Sequence, residues 1–139
     1  MQLQDIIPKR VAFGLRATEK EYFLRPFNLN DEVWIKSKYS EEEFSKILHS
    51  MDMPEIVKIV YHQLENEYKA EFKATEVIEY DDDGNEITRK ISGPEKLSSA
   101  IQGFDEQLLI YKALMECRGL SMPVLEEINK ELAKKKLGQ

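Results

Sequence analysis

Apolar and polar residues alternate over the first part of the chain, and this pattern predicts a β-hairpin. The segment 11–15, VAFGL, has the two-residue period of a strand with one buried face. The segment 22–27, YFLRPF, repeats the alternation, and the polar residues 17–21 form a connection of hairpin length. Pro26 has no amide hydrogen, so it is expected to end the pairing.

Helical spacing replaces the alternation over residues 28–74. Asn30 is the expected N-cap of a first helix, because acidic residues follow it in the first turn. Ser40 and Glu43 have the spacing of a capping box and predict a second helix. A third helix is expected to begin near Pro54. Its apolar face is the most continuous of the chain and comprises Ile56, Val57, Val60, Tyr61, Leu64 and Tyr68.

A second hairpin is predicted over residues 76–91. Apolar residues alternate on both sides of the turn sequence 81–85, DDDGN, in which Gly84 supplies the positive φ angle that tight turns need. Because acidic residues crowd its tip, we expect this hairpin to project from the helices as a solvated arm.

Three helices are predicted over residues 94–136. The first begins after Ser92 and ends at Gly103, the second is capped by Asp105, and the third begins at Ser121. The second helix should pack its apolar residues into the core: Leu108, Leu109, Tyr111, Leu114 and Cys117.

Together these elements predict a mainly helical α+β fold, in which an N-terminal hairpin precedes a bundle of about five to six helices and a second hairpin is inserted mid-chain. The length of 139 residues suits one domain over residues 1–139. Within it, residues 1–27 form the lead and hairpin, 28–74 and 94–136 are helical, and 76–91 are the inserted hairpin.

Composition narrows the classes of partner. A net charge of −6 repels phosphate backbones, which argues against nucleic acid as a ligand. Residues 1–10 lack the features of a signal peptide and no apolar window reaches about 18 residues, so we expect a cytosolic protein that does not enter membranes. Cys117 is the single cysteine, which precludes an intrachain disulfide. The lysines of residues 130–136 suit the end of a helix.

No catalytic or metal-binding constellation is recognisable. Aligning Gly84 with the invariant glycine of a calcium loop puts Lys90 where a bidentate glutamate belongs, so an ordinary hairpin tip is favoured. His49 and His62 lie on different predicted helices, and the glycines do not form a phosphate-binding loop. Cys117 lies on an apolar face, where a buried inert thiol is expected. We therefore predict no catalytic residues, no metal and no cofactor, and regard a small enzyme of unknown type as the remote alternative.

Six aromatic residues near the junction of the first hairpin and the helices are the candidates for partner binding. Aromatic side chains dominate protein interfaces, but a lone tryptophan in a small domain usually packs in the core. Packing of the hairpin onto the helices is thus the first explanation, and partner contact the second. The candidates are Tyr22, Phe23, Phe27, Trp34, Tyr39 and Phe44.

The segment 20–32, KEYFLRPFNLNDE, resembles the opening of the tail assembly chaperones of long-tailed bacteriophages. Members of that family begin with a strand, a short loop, a second strand of this type and a polar helix start. The resemblance covers the first forty residues, and the rest of the chain agrees in architecture. The hairpin at 76–91 is a departure from the shortest members. Consecutive lysine codons at 134–136 fit the slippery site at which many such genes shift frame.

The resemblance implies a non-catalytic protein that coats the tape measure protein during tail assembly and helps to recruit tail tube subunits. It also implies a place in the host bacterial cytoplasm and absence from the mature virion. The free edge of the N-terminal hairpin is a candidate for pairing with a second copy. The alternative within the same class is a structural virion component, such as a tail or connector protein.

Overall fold

Two β-hairpins and six helices follow one another in the computed structural model, which describes residues 7–119. Their order confirms the predicted mainly helical α+β fold, with one leading hairpin and one inserted hairpin. The predicted helix from Ser121 and the lysine-rich end lie outside the described residues. The elements are β1 Val11–Leu15, β2 Lys20–Leu24, α1 Leu29–Lys38, α2 Glu41–Ser50, α3 Met53–Gln63, α4 Asn66–Lys69 with a 3₁₀ turn Ala70–Phe72, β3 Thr75–Tyr80, β4 Glu86–Ile91, α5 Gly93–Ala100 and α6 Gly103–Cys117.

The first hairpin supplies one wall of the core. Its strands are antiparallel with Phe13 opposite Tyr22, and the two rings stack with their centroids 5.8 Å apart. Leu15 and Leu24 are buried on the same side, so the alternation read from the sequence matches the buried face. Helix α6 packs against both strands and closes this wall.

Helix α3 is the central helix of the fold. It contacts α2, α5 and α6, and its side chains Ile56, Ile59 and Val60 are almost fully buried. The helix ends at Gln63 and does not run on through Tyr68 as the apolar pattern predicts. Leu64 is instead extended and bridges to Leu24 across the edge of β2, because this pairing satisfies backbone groups of the edge strand.

The start of α1 corrects one prediction. The N-cap is Asn28 and not Asn30: Asn28 has an extended backbone, and its side chain accepts a hydrogen bond from the amide of Asp31. The carboxylate of Asp31 accepts in return from the amide of Asn28, which completes a capping box. The predicted cap Ser40 of α2 is confirmed, since its hydroxyl accepts from the amide of Glu43.

The start of α6 corrects a second prediction. The helix begins at Gly103, whose φ of 79° is accessible to glycine, and Asp105 is not its cap. Glu106 takes the capping role from within the helix, because its buried carboxylate accepts from the amide of Gln102 at 2.7 Å. The same carboxylate accepts from the backbone and side chain of Arg16, which ties the turn of the first hairpin to α6.

The second hairpin projects as predicted. Most residues of β3 and β4 are exposed, and the strands pair from Thr75 opposite Ile91 to Tyr80 opposite Glu86. Gly84 has a φ of 81° in the turn, as the Asp-Gly sequence requires. Within residues 7–119, no helix has the length and apolarity to cross a bilayer.

Candidate functional site

A basic depression lies where α1, α3, α4 and α5 meet. It has a volume of about 470 Å³ and is named here the lysine pocket. Aromatic rings and Pro94 form most of its wall, and three ammonium groups and one imidazole border it. Its lining residues are Trp34, Lys38, Tyr39, Lys58, Tyr61, His62, Lys69 and Pro94.

The wall of the lysine pocket contains two stacked rings, and one of them is hydrogen-bonded to a buried carboxylate. Trp34 and His62 stack with their centroids 3.8 Å apart and their planes at 8°. Nε2 of His62 lies 3.1 Å from the carboxylate of Asp31. Asp31 also accepts from Arg25 at 3.1 Å and from Gln63 at 3.1 Å, so its oxygens are well supplied with donors.

These contacts set the charge states of both groups. Burial alone raises the pKa of Asp31, but hydrogen bonds from Gln63, Asn28 and Arg25 outweigh it and leave the pKa below its ordinary value. Burial lowers the pKa of His62 more than Asp31 raises it. His62 is therefore neutral at pH 7, and its Nε2 carries the proton because the Asp31 carboxylate only accepts.

The three lysines of the pocket differ in their partners. Nζ of Lys58 lies 3.0 Å from the carboxylate of Glu55. Lys38 and Lys69 have no carboxylate within salt-bridge distance among residues 7–119. Lys69 is half-buried, and burial together with the charge of Arg25 lowers its pKa.

Two of the six predicted aromatic residues border this pocket. Trp34 is half-buried in the stack described above, so it is both an internal anchor and part of a cavity wall. The hydroxyl of Tyr39 donates to Glu55 at 2.6 Å, and burial together with that carboxylate raises the pKa of Tyr39. The structure thus brings Trp34 and Tyr39 together at one cavity.

The other four aromatic residues pack elsewhere. Tyr22 is fully buried in the core and presents no surface to a partner. Phe23 lies on the opposite face of β2, with the guanidinium of Arg10 3.7 Å from its ring centroid. Phe27 and Phe44 flank the guanidinium of Arg118 at 4.8 and 4.5 Å. These contacts fasten the exit of the hairpin to the end of α6.

A second depression runs between β1 and α6 and is named here the β1–α6 groove. The outer edge of β1 has no strand partner among residues 7–119, and α6 flanks it. Small residues on β1 leave room beside the exposed side chain of Leu109, which borders both ends of the groove. The groove is lined on β1 by Val11, Ala12, Phe13, Gly14 and Leu15, and on α6 by Glu106, Leu109, Lys112, Ala113 and Glu116.

Helix α6 carries three exposed apolar residues, and two of them, Leu108 and Leu109, contradict the prediction that they pack into the core. Leu109 is 52% exposed and Phe104 65% exposed, and Leu108 is exposed one turn after Phe104. The predicted core residues Leu114 and Cys117 are confirmed as buried, and Tyr111 packs against the core in part. Ile110, Ala113 and Met115 supply the other core contacts of α6. A face offset by one residue in a helix that is apolar on several sides explains the error.

Sequence reasoning also missed the lysines of the pocket. Lys38, Lys58 and Lys69 come from three helices and follow no common period, so no local pattern unites them. The sequence offers only a weak signal for this pocket: each of the three lysines lies within three residues of a tyrosine in a chain that is acidic overall.

Metal ligands and the cysteine thiol are the two remaining kinds of reactive group in the described part of the chain. Within residues 7–119, no group of three or more His, Cys, Asp or Glu side chains is arranged to hold a metal ion. Cys117 is buried as predicted, and its thiol donates to the carbonyl of Leu114 at 3.2 Å. Burial raises the pKa of Cys117 to about 12, so the thiolate is not formed near neutral pH.

Comparison of the chain with protein-family models, with curated proteins and with solved structures returned no match.

Proposed function

We propose that the protein is a non-catalytic tail assembly chaperone that binds the tape measure protein of a long-tailed bacteriophage and helps to recruit tail tube subunits. The observation that carries the proposal is the β1–α6 groove, an unpaired strand edge beside exposed apolar side chains. Its strand side, β1, belongs to the N-terminal region whose sequence resembles that family, and its helix side is α6.

The groove has the features of a site for a chain segment. Unpaired backbone groups of a strand edge accept an added strand, and an apolar ridge accepts the apolar face of a helix. Leu109 supplies the exposed apolar surface that the two ends of the groove share, and Leu108 and Phe104 are further exposed apolar residues of the same helix. The rim of the groove is charged, as in transient protein–protein interfaces, and includes Arg16, Glu21 and Glu116.

Self-association through the hairpin has one available edge. The outer edge of β2 is already bonded, because the amide of Arg25 donates to Gln63 at 2.9 Å and that of Glu65 donates to Phe23 at 3.0 Å. A second copy would therefore have to use β1 and compete with the tape measure segment for the groove.

The proposal is tested by the protein content of purified phage particles. A chaperone acts in the host cytoplasm during assembly, so mass spectrometry should find the protein in infected cells and not in finished virions. Its presence in virions in constant proportion to the tail tube protein would favour a structural tail or connector protein and overturn the proposal.

A further inference from the structure

We propose that the lysine pocket binds a small organic anion in which an aromatic ring is joined, directly or through a sugar, to a phosphate or carboxylate group. The site is independent of the β1–α6 groove, which is lined by other elements. Its ligand class follows from charge, wall chemistry and size.

The charge of the pocket is opposite to that of the protein. The chain has a net charge of −6, yet three lysines border one cavity. Glu55 neutralises Lys58, and Asp31 beneath His62 is already engaged by Arg25 and other donors. Within the described residues 7–119, the ammonium groups of Lys38 and Lys69 have no carboxylate within salt-bridge distance and can bind an anion.

Lys69 makes the strongest case for a bound anion. Among residues 7–119 no carboxylate forms an ion pair with this half-buried ammonium group, so the hydration that it loses on burial is not replaced by an ion pair from this part of the chain. Burial and the positive charge of Arg25 lower the pKa of Lys69, and together they outweigh the opposite effect of the Asp31 carboxylate. An anion in the pocket removes this cost, so the arrangement favours a ligand over an empty cavity.

The walls indicate that the anion also carries a ring. Trp34 and His62 form a fixed flat stack, and Tyr39 and Tyr61 with Pro94 add further apolar surface. Flat rings pack on such walls, and aromatic faces also attract cations such as the nearby ammonium groups. A bare inorganic anion leaves this surface unused, and a neutral ring leaves the lysines unused.

The volume agrees with a ligand of that kind. About 470 Å³ lies inside the range of roughly 300–1,000 Å³ that holds small organic ligands. A monophosphate of a nucleoside and a pyridine carboxylate both combine a ring with one anionic group, so they represent the two sources of charge.

Trp34 reports directly on this site because it is the only tryptophan of the chain. The purified protein is titrated with adenosine 5′-monophosphate, nicotinate, adenosine and inorganic phosphate, and the emission of Trp34 is followed with excitation outside the ligand absorption. We expect a saturable change with adenosine 5′-monophosphate, nicotinate or both. Adenosine and phosphate should bind at least about tenfold more weakly, which corresponds to one charge-assisted hydrogen bond.

Variants separate the pocket from general charge effects. Lys69→Met and the more exposed Lys38→Met should each weaken binding about tenfold. Lys90→Met on the projecting hairpin makes the same charge change and should leave affinity unaltered. Circular dichroism checks folding, and Lys38→Met keeps the test valid if Lys69→Met misfolds. The proposal is overturned if no probe saturates at millimolar concentration, if adenosine binds as well as its phosphate, or if Lys90→Met weakens binding as much as Lys38→Met.

Discussion

Asp31 is the residue on which the local structure depends most. One carboxylate completes the capping box of α1 and also accepts hydrogen bonds from Arg25, His62 and Gln63. It therefore joins the exit of the first hairpin, the start of α1 and the end of α3. Its sequence position indicates only a helix first turn.

Replacement of Asp31 by alanine should lower the free energy of unfolding by about 3 kcal/mol, because it leaves buried donors without an acceptor. Urea denaturation measures the change. Asp82→Ala, at the exposed tip of the second hairpin, is the matched control and should stay within about 0.5 kcal/mol of the wild type. Equal losses in the two variants would contradict the role assigned to Asp31.

His62 should titrate below the ordinary histidine pKa of about 6.5. Because its folded pKa is lowered, the unfolded chain binds more protons as pH falls below that value. Stability should therefore decline from about pH 6.5 down to the folded pKa of His62. The lowered pKa of Asp31 adds a further loss at more acidic pH.

Nuclear magnetic resonance checks this directly in the variant His49→Gln, which leaves His62 as the only histidine. The imidazole resonance of His62 should have its midpoint below that of the same chain in urea. A midpoint above it would mean that the Asp31 carboxylate, and not burial, dominates the site.

At the scale of elements, the cap of α1 separates the observed structure from the sequence-based expectation. Asn28→Ala should cost about 1 kcal/mol of stability, because the hydrogen bond that the Asn28 side chain accepts from the amide of Asp31 is lost. Asn30→Ala, two residues away inside the helix, should cost less than about 0.5 kcal/mol. Thermal and urea denaturation of the two variants measure these losses. A larger loss of stability for Asn30→Ala than for Asn28→Ala would mean that Asn30 is the N-cap of α1, as the sequence predicts.

The projecting hairpin should be dispensable for folding. Thr75 and Ile91 are paired, so a short glycine link can replace residues 76–90. Most of the removed side chains are exposed, and the surface pair of Arg89 with Glu95 contributes little. Cooperative thermal unfolding should persist with a midpoint within a few degrees of the wild type. Deletion of the first hairpin, by contrast, should abolish cooperative unfolding, since Tyr22 and Leu24 are core residues.

Elements with a strong local signal were predictable from the sequence. Alternation located both hairpins, and Ser40 with Glu43 located the start of α2. The end of α3 was not predictable, because no glycine or proline interrupts its apolar pattern and the pairing of Leu64 with Leu24 is a tertiary contact. The cap of α1 was ambiguous, since asparagine occurs at both 28 and 30.

The candidate sites were less predictable than the fold. Trp34 and Tyr39 were identified by residue type, but the stack of Trp34 on His62 joins residues from two helices. The three pocket lysines converge only in the tertiary structure. The exposure of Leu109 on α6 was not predictable, because the burial of this residue depends on where β1 lies.

At the scale of the whole molecule, an acidic surface is interrupted, within residues 7–119, by three groups of exposed apolar side chains and by the single exposed side chain of Ile7. The net charge of −6 favours solubility of the protein and of a bound partner. The group on α6 lies next to β1, whose outer edge lacks a strand partner in residues 7–119, and it adjoins the body of the fold. The group on the second hairpin lies on β3 and β4, whose outer edges also lack strand partners in that part of the chain. The first group is Leu29 and Val33 on α1; the second is Ile78, Tyr80 and Ile87 on the second hairpin; the third is Phe104, Leu108 and Leu109 on α6.

A variant on α6 and a matched variant on α1 separate the contribution of the apolar group on α6 from that of the group on α1. Leu108→Asp with Leu109→Asp places charge beside the β1–α6 groove, whereas Val33→Asp places it on α1. Both changes are at exposed positions, so both variants should fold and unfold cooperatively.

The most direct measurement is the amount of soluble tape measure protein that accumulates when it is co-expressed in bacteria with each form of this chain, with complex formation checked by size-exclusion chromatography. The wild type and Val33→Asp should keep the tape measure protein soluble and co-elute with it, and the Leu108→Asp, Leu109→Asp variant should do neither. A tape measure protein that is equally soluble without this chain, or a complex that the double variant forms as well as the wild type, would contradict the account.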